Sequence, residues 1–172
     1  MIKNLLLFSA TLCLFASPIS VQAAKKAKAD LLDAHGTPVG TATFTEKADG
    51  VELELKAFNL PPGLHGFHIH AVGKCEAPDF QTAGPHFNPD GKKHGLDNPQ
   101  GHHLGDLQNL NAGPGGEAKI KFIVPGVTLD EGPKSLFHEG GTSVVIHDKP
   151  DDEVTDPSGN SGARIACGVI TR

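Results

Sequence analysis

The chain has 172 residues and a mass of 18.0 kDa, the size of one domain. With 15 Lys and Arg against 20 Asp and Glu it lacks the basic excess of a nucleic-acid binder, and no nucleic-acid partner is expected. Twenty-one Gly and thirteen Pro argue against a helical bundle, while ten His beside one Met, no Trp and no Tyr, with no six-residue His run, point to metal binding rather than a tag.

Residues 1–23 differ from the rest. Lys3 precedes an apolar stretch over 5–16, followed by Ser17, Pro18 and the small-residue site Val21-Gln22-Ala23. The pattern predicts a secretory signal peptide removed after Ala23 or Ala24. The apolar core is too short for an anchor of about 20 residues, so no membrane insertion is expected after its removal. Leu12 before Cys13 argues against a lipoprotein box. The domain is then 24–172, a mildly acidic exported protein, periplasmic or extracellular, with fourteen Lys and Arg against twenty Asp and Glu. Cleavage removes Cys13 and leaves Cys75 and Cys167 in an oxidising compartment, where two thiols pair. Closing their 92-residue separation is worth up to about 4.6 kcal/mol in the chain-entropy model.

Period-two patterning begins near Asp30. Strands are predicted over 38–45, over Val51, Leu53 and Leu55 with their polar alternates, and over 66–71, 117–124, 143–147 and 164–171. Helical periodicity is absent after residue 23. The expected fold is all-β: an antiparallel sandwich or small barrel. Two long loops interrupt it, 73–116, with nine Gly and five Pro, and 148–163, rich in Asp, Gly and Ser. Structureless loops that long need something to organise them.

The histidines suggest the organiser. On a strand over 66–71, Phe67, Ile69 and Ala71 face one way and His68 and His70 the other, about 6.5 Å apart. His147 likewise opposes Val144 and Ile146, so all three can stand outside a barrel packed with aliphatics. In the first loop His86, His94, His103 and Asp106 lie within 21 residues, and three imidazoles with one carboxylate make the closed tetrahedral shell of structural zinc. All-nitrogen ligation at the first cluster suits copper or zinc, and the lack of thiolate or Met ligands argues against a blue-copper electron carrier.

Six segments in order now carry a resemblance. They are Gly-Phe-His68-Ile-His70, Ala-Gly-Pro-His86-Phe-Asn-Pro, Lys93-His94-Gly, His103-Leu-Gly-Asp106, Val-Ile-His147-Asp-Lys and Gly-Asn-Ser-Gly-Ala-Arg164-Ile-Ala-Cys167-Gly-Val-Ile. The chain resembles the copper/zinc superoxide dismutases from Gly66 to Ile170, with weaker strand patterning back to about Lys28, and the resemblance implies a Greek-key antiparallel β-sandwich or barrel of about eight strands with two long functional loops. The resemblance implies one copper per chain on His68, His70, His86 and His147, and one zinc on His86, His94, His103 and Asp106, with His86 bridging. It selects His103 over His102, gives no metal role to His35, His65 or His138, and makes Asp151 the carboxylate behind one imidazole of each metal. The implied reaction is disproportionation of superoxide by copper cycling, with His86 as a proton donor and Arg164 as the cation beside copper. The loop over 148–163 has Lys149 as its only lysine against five acids, so Lys74, Lys92 and Lys93 are the candidates for steering. Gly140-Gly141 replaces a bulky aliphatic of the animal enzymes' dimer patch, which leaves monomer or a different homodimer open. An exported copper-binding or copper-delivery protein on the same fold is the alternative.

Overall fold

The computed structural model describes residues 24–172; the expected signal peptide lies outside the described residues. Nine antiparallel strands carry the fold: β1 (Lys26–Asp33), β2 (Pro38–Lys47), β3 (Gly50–Ala57), β4 (Gly63–His65), β5 (Phe67–His70), β6 (Leu110–Ala112), β7 (Ala118–Pro125), β8 (Ser143–His147) and β9 (Arg164–Val169). Seven form one curled sheet in the order β5-β8-β9-β1-β2-β3-β7, and β4 pairs with β6. The chain makes the β1-β2-β3 meander, crosses to the far edge for β5, returns to β7 beside β3, and crosses again to β8. That is a Greek-key path.

Alternation explains the sheet. In β1, β2 and β3, Ala27, Ala29, Leu31, Ala42, Phe44, Val51, Leu53 and Leu55 are buried, while Lys28, Asp30, Thr43 and Lys56 are exposed or nearly so. These apolar side chains meet Phe67, Ile69, Val144 and Ile146 in one core. At Gly40 even a Cβ would press on Lys56 and Ala57 of the neighbouring strand, so this position takes glycine for close backbone approach.

β5 and β8 break the half-buried pattern, since all nine of their residues are buried. One face packs the core and the other lies beneath the two long loops. His68 and His70 therefore stand outside the barrel wall yet are 0% and 1% exposed. Cys75 and Cys167 form a disulfide with Cα atoms 5.6 Å apart. No helix among the described residues is long and apolar enough to cross a membrane.

Candidate metal centre

The long loop completes the edge of β5. Ile69 N–H donates to Gly105 O and Phe87 N–H donates to Ile69 O, each at 2.8 Å, and Gly105 N–H donates to Phe87 O at 2.9 Å. His70 thereby lies opposite His86, and His68 opposite Asp106. Gly105 is required because a Cβ there would run into the Ile69 carbonyl and the Phe87 amide. On the other side of β5, β8 supplies His147. A bulge skips Ile165, so that His147 pairs with Arg164 while Ile146 pairs with Ala166. Bulges re-aim side chains beside functional sites, and this one sets a histidine next to an arginine.

Two sets of side chains converge. His68, His70, His86 and His147 form the first, and His86, His94, His103 and Asp106 the second, each set with one ligand-type atom per residue lying within 4.8 Å of the others. In the first set one nitrogen of each ring is held. His68 Nε2 is 2.6 Å from Asp151 Oδ2, His70 Nδ1 donates to Gly84 O at 2.8 Å, His86 Nδ1 is 2.8 Å from Asp106 Oδ1, and His147 Nδ1 is 3.1 Å from Ser161 Oγ. The four remaining nitrogens, His68 Nδ1, His70 Nε2, His86 Nε2 and His147 Nε2, are buried without a partner. An unsatisfied buried polar atom costs about 1–3 kcal/mol, and four pointing into one place suit a cation that prefers imidazole. Burial holds these rings neutral and ready to ligate. His70 lies well below its ordinary value, and His147 falls to about 3 and His86 to about 4, by burial first and by neighbouring histidines next.

The second set closes on one oxygen. Nδ1 of His86, His94 and His103 lies 2.8, 3.0 and 3.1 Å from Asp106 Oδ1. Asp106 Oδ2 accepts the amides of Gly95 and His103, both at 2.9 Å, which orients the carboxylate. Burial opposes ionisation of Asp106, but bonds from His103, His86 and His94 outweigh it and hold the carboxyl far below its usual range. His94 runs opposite to the first set. Burial disfavours its cation, yet Asp106 and Asp151 together push it up to about 10.

Asp151 joins the sets. It lies 2.6 Å from His68 Nε2 and 3.0 Å from His94 Nε2. Asn109 clamps its backbone, accepting from Asp151 N–H at 2.7 Å and donating to Asp151 O at 2.9 Å. Nothing in the sequence singled out Asn109. Gly159 leaves room for this carboxylate, since a Cβ there would overlap Asp151 and press on His94.

A channel of about 480 Å³ opens over the first set, lined among others by His70, Gln81, His86, His147, Ser158 and Arg164. Arg164 is the one Lys or Arg in its lining among the described residues. Its Nη1 donates to Phe80 O at 2.7 Å and its Nη2 to Gly84 O at 2.8 Å, the carbonyl that also takes His70 Nδ1. Lys92 and Lys93 line a separate cleft beside His86 and His103. Lys93 is paired with Asp156 at 2.7 Å. Neither lysine lines this channel, so any steering by them acts from outside its wall.

The other histidines stay outside both sets. His65 spans His147 O and Pro61 O with its two ring nitrogens, each at 2.7 Å, which ties β4 to the end of β8. His102 Nδ1 donates to His103 O, and His138 stacks on Phe87.

The sequence matches the family model described as "Copper/zinc superoxide dismutase (SODC)" over residues 38–170. The chain belongs to the copper/zinc superoxide dismutase family. It is 47% identical over 161 residues to Superoxide dismutase [Cu-Zn] 1 of Aquifex aeolicus, covering 92% of this chain and 95% of that one. Among solved structures it resembles a superoxide dismutase-like protein from Bacillus subtilis, with a TM-score of 0.80 at 39% identity over 83% of this chain and 96% of that one. It also resembles the Cu/Zn superoxide dismutase from Brucella abortus, with a TM-score of 0.69 at 28% identity over 86% of this chain and all of that one. The superoxide dismutase family is one of oxidoreductases whose name carries both metals, and the two converging sets are the places in this chain that fit them.

Proposed function

We propose that the chain is an exported enzyme that converts superoxide to dioxygen and hydrogen peroxide. Copper would be held by His68, His70, His86 and His147, and zinc by His86, His94, His103 and Asp106. The observation that carries this reading is the four unpartnered buried imidazole nitrogens of the first set beside Arg164. When bound, copper supplies one-electron exchange between Cu(II) and Cu(I), and zinc supplies a fixed charge that orders the loop.

The chain's own residues do the rest. Arg164, fixed by two carbonyls, presents a cation to an anionic substrate in a channel that has no other lining Lys or Arg among the described residues. His86 faces that channel and is the ring placed to carry, at Nε2, one of the two protons that peroxide needs. Asp151 orients His68 and His94 together, so that a change at one metal is felt at the other.

The test is superoxide decay with protein loaded to one copper and one zinc per chain. His70→Ala should abolish turnover while zinc stays bound, since His70 belongs only to the first set. A copper-delivery protein would bind copper in both forms without turnover in either. The export reading adds a processed chain beginning at Ala24 or Lys25 with no titratable thiol in oxidised material. Exported protein that still begins at Met1, seen by intact mass, contradicts it.

A further inference from the structure

The guanidinium of Arg164 hangs on two carbonyls, and Phe80 O lies on a segment that gives neither metal set a residue. Phe80 N–H donates to Glu76 O at 3.1 Å, and Phe80 O accepts the Ala83 amide at 3.1 Å as well as Arg164 Nη1 at 2.7 Å. The residue sits at φ 55°, a left-handed conformation uncommon outside glycine, which persists where surroundings hold it.

What holds it is its ring. Phe80 is 2% exposed and packs in a small cluster with Ala83, Val145 and Cys167, against Ala34 and Cys75. Val145 and Cys167 are register partners across β8 and β9. They point away from the main core, on the side where His147 stands. A ring seated on that pair fixes the turn against both strands, three residues from the root of Arg164. The disulfide reaches the same strand, but Cys75 precedes Phe80 by five residues and the four between are all exposed. A tether of that kind limits where a carbonyl can go without aiming it.

Building on the superoxide-dismutating reading above, we propose that Phe80 is the positioning residue for Arg164: its buried ring, rather than the disulfide, aims the carbonyl that orients the guanidinium at the channel. The experiment compares parent, Phe80→Leu, Phe80→Ala, Arg164→Ala and the double alanine variant, each loaded with copper and zinc. It reads superoxide decay at two ionic strengths, azide affinity by titration of the copper absorption, copper content and melting temperature.

Phe80→Ala should keep its copper yet lose azide affinity and rate by about threefold or more, with a flattened salt response like that of Arg164→Ala. The double variant should match Arg164→Ala, and Phe80→Leu, which refills most of the space, should recover toward the parent. Losses that multiply in the double variant, or parent-like azide affinity and salt response in Phe80→Ala, overturn the proposal. Should Phe80→Ala fail to fold, Phe80→Leu and Phe80→Val give the same comparison as a graded series, and parent-like azide affinity in both overturns it. A parent that binds azide but does not turn over superoxide refutes the functional reading instead, and the azide comparison still decides the role of Phe80.

Discussion

At the scale of single residues, charge decides the channel. Residues 24–172 carry fourteen Lys and Arg against twenty Asp and Glu, so an anion is repelled at long range and must be drawn in locally. A unit charge about 6 Å from the substrate is worth roughly 0.7 kcal/mol at water's dielectric and about 2.8 at an effective value of 20, or roughly threefold to a hundredfold in rate. Arg164→Ala should slow superoxide decay within that range while copper stays bound. Arg164→Lys should retain more activity, though less than the parent because the guanidinium fork is lost. Arg164→Glu should be slowest, and added salt should slow the parent but speed the glutamate variant. Identical rates across the set remove Arg164 from the reaction.

The histidines make a second prediction, for metal-free protein. His86 and His147 are depressed from 6.5 to about 4 and about 3, so between those values and 6.5 the unfolded chain binds more protons and stability falls as pH drops. His94 is raised from 6.5 to about 10, so its contribution is complete below 6.5 and is lost as pH rises through 10. Thermal unfolding of the metal-free protein should therefore show a maximum near neutral pH and decline on both sides. A melting temperature that climbs steadily from pH 4 to pH 10 contradicts the assignment.

At the scale of elements, the centre depends on a loop pressed against the edge of β5. Gly105→Ala should force that part of the loop away from Ile69 of β5 and from the facing Phe87 of the same loop, at about 1–3 kcal/mol of stability, and should weaken zinc binding as well. Calorimetry with and without zinc checks both effects; an unchanged melting temperature shows that the contact does not hold the loop. Strand alternation was readable in β2 and β3 because Phe44, Leu53 and Leu55 are large and their alternates polar. It was fainter in β1, where Ala27 and Ala29 fill the core with little hydrophobic signal, and the strand starts at Lys26 rather than near Asp30. β4 and β6, three residues each, are too short for a period to identify them and exist through each other. The choice of His103 over His102 and the place of His86 in both sets came from the family resemblance, while the two clusters of metal-competent residues could be read from spacing and chemistry. Asn109, Phe80 and Gly105 could not, because their roles rest on contacts between segments distant in sequence.

At the scale of the whole molecule, the barrel wall supplies His68, His70, His147 and Arg164 from β5, β8 and β9, and the loops supply His86, His94, His103, Asp106 and Asp151. His68, His70 and His147 alternate along β5 and β8 with Phe67, Ile69 and Ile146, which pack the main core. The centre is built on the opposite face of β5 and β8 and is buried by the two loops, the first of which is also anchored in the apolar clusters by Phe80, Phe87 and Leu107. Loop and metal should therefore stabilise each other, with metal bound only by the folded chain adding directly to its stability. The most direct measurement of the central claim is the number of superoxide ions consumed per copper, followed by stopped-flow decay with protein loaded to one copper and one zinc per chain. Many turnovers per copper, lost in His70→Ala, are the predicted result; consumption that stops at one superoxide per copper contradicts it.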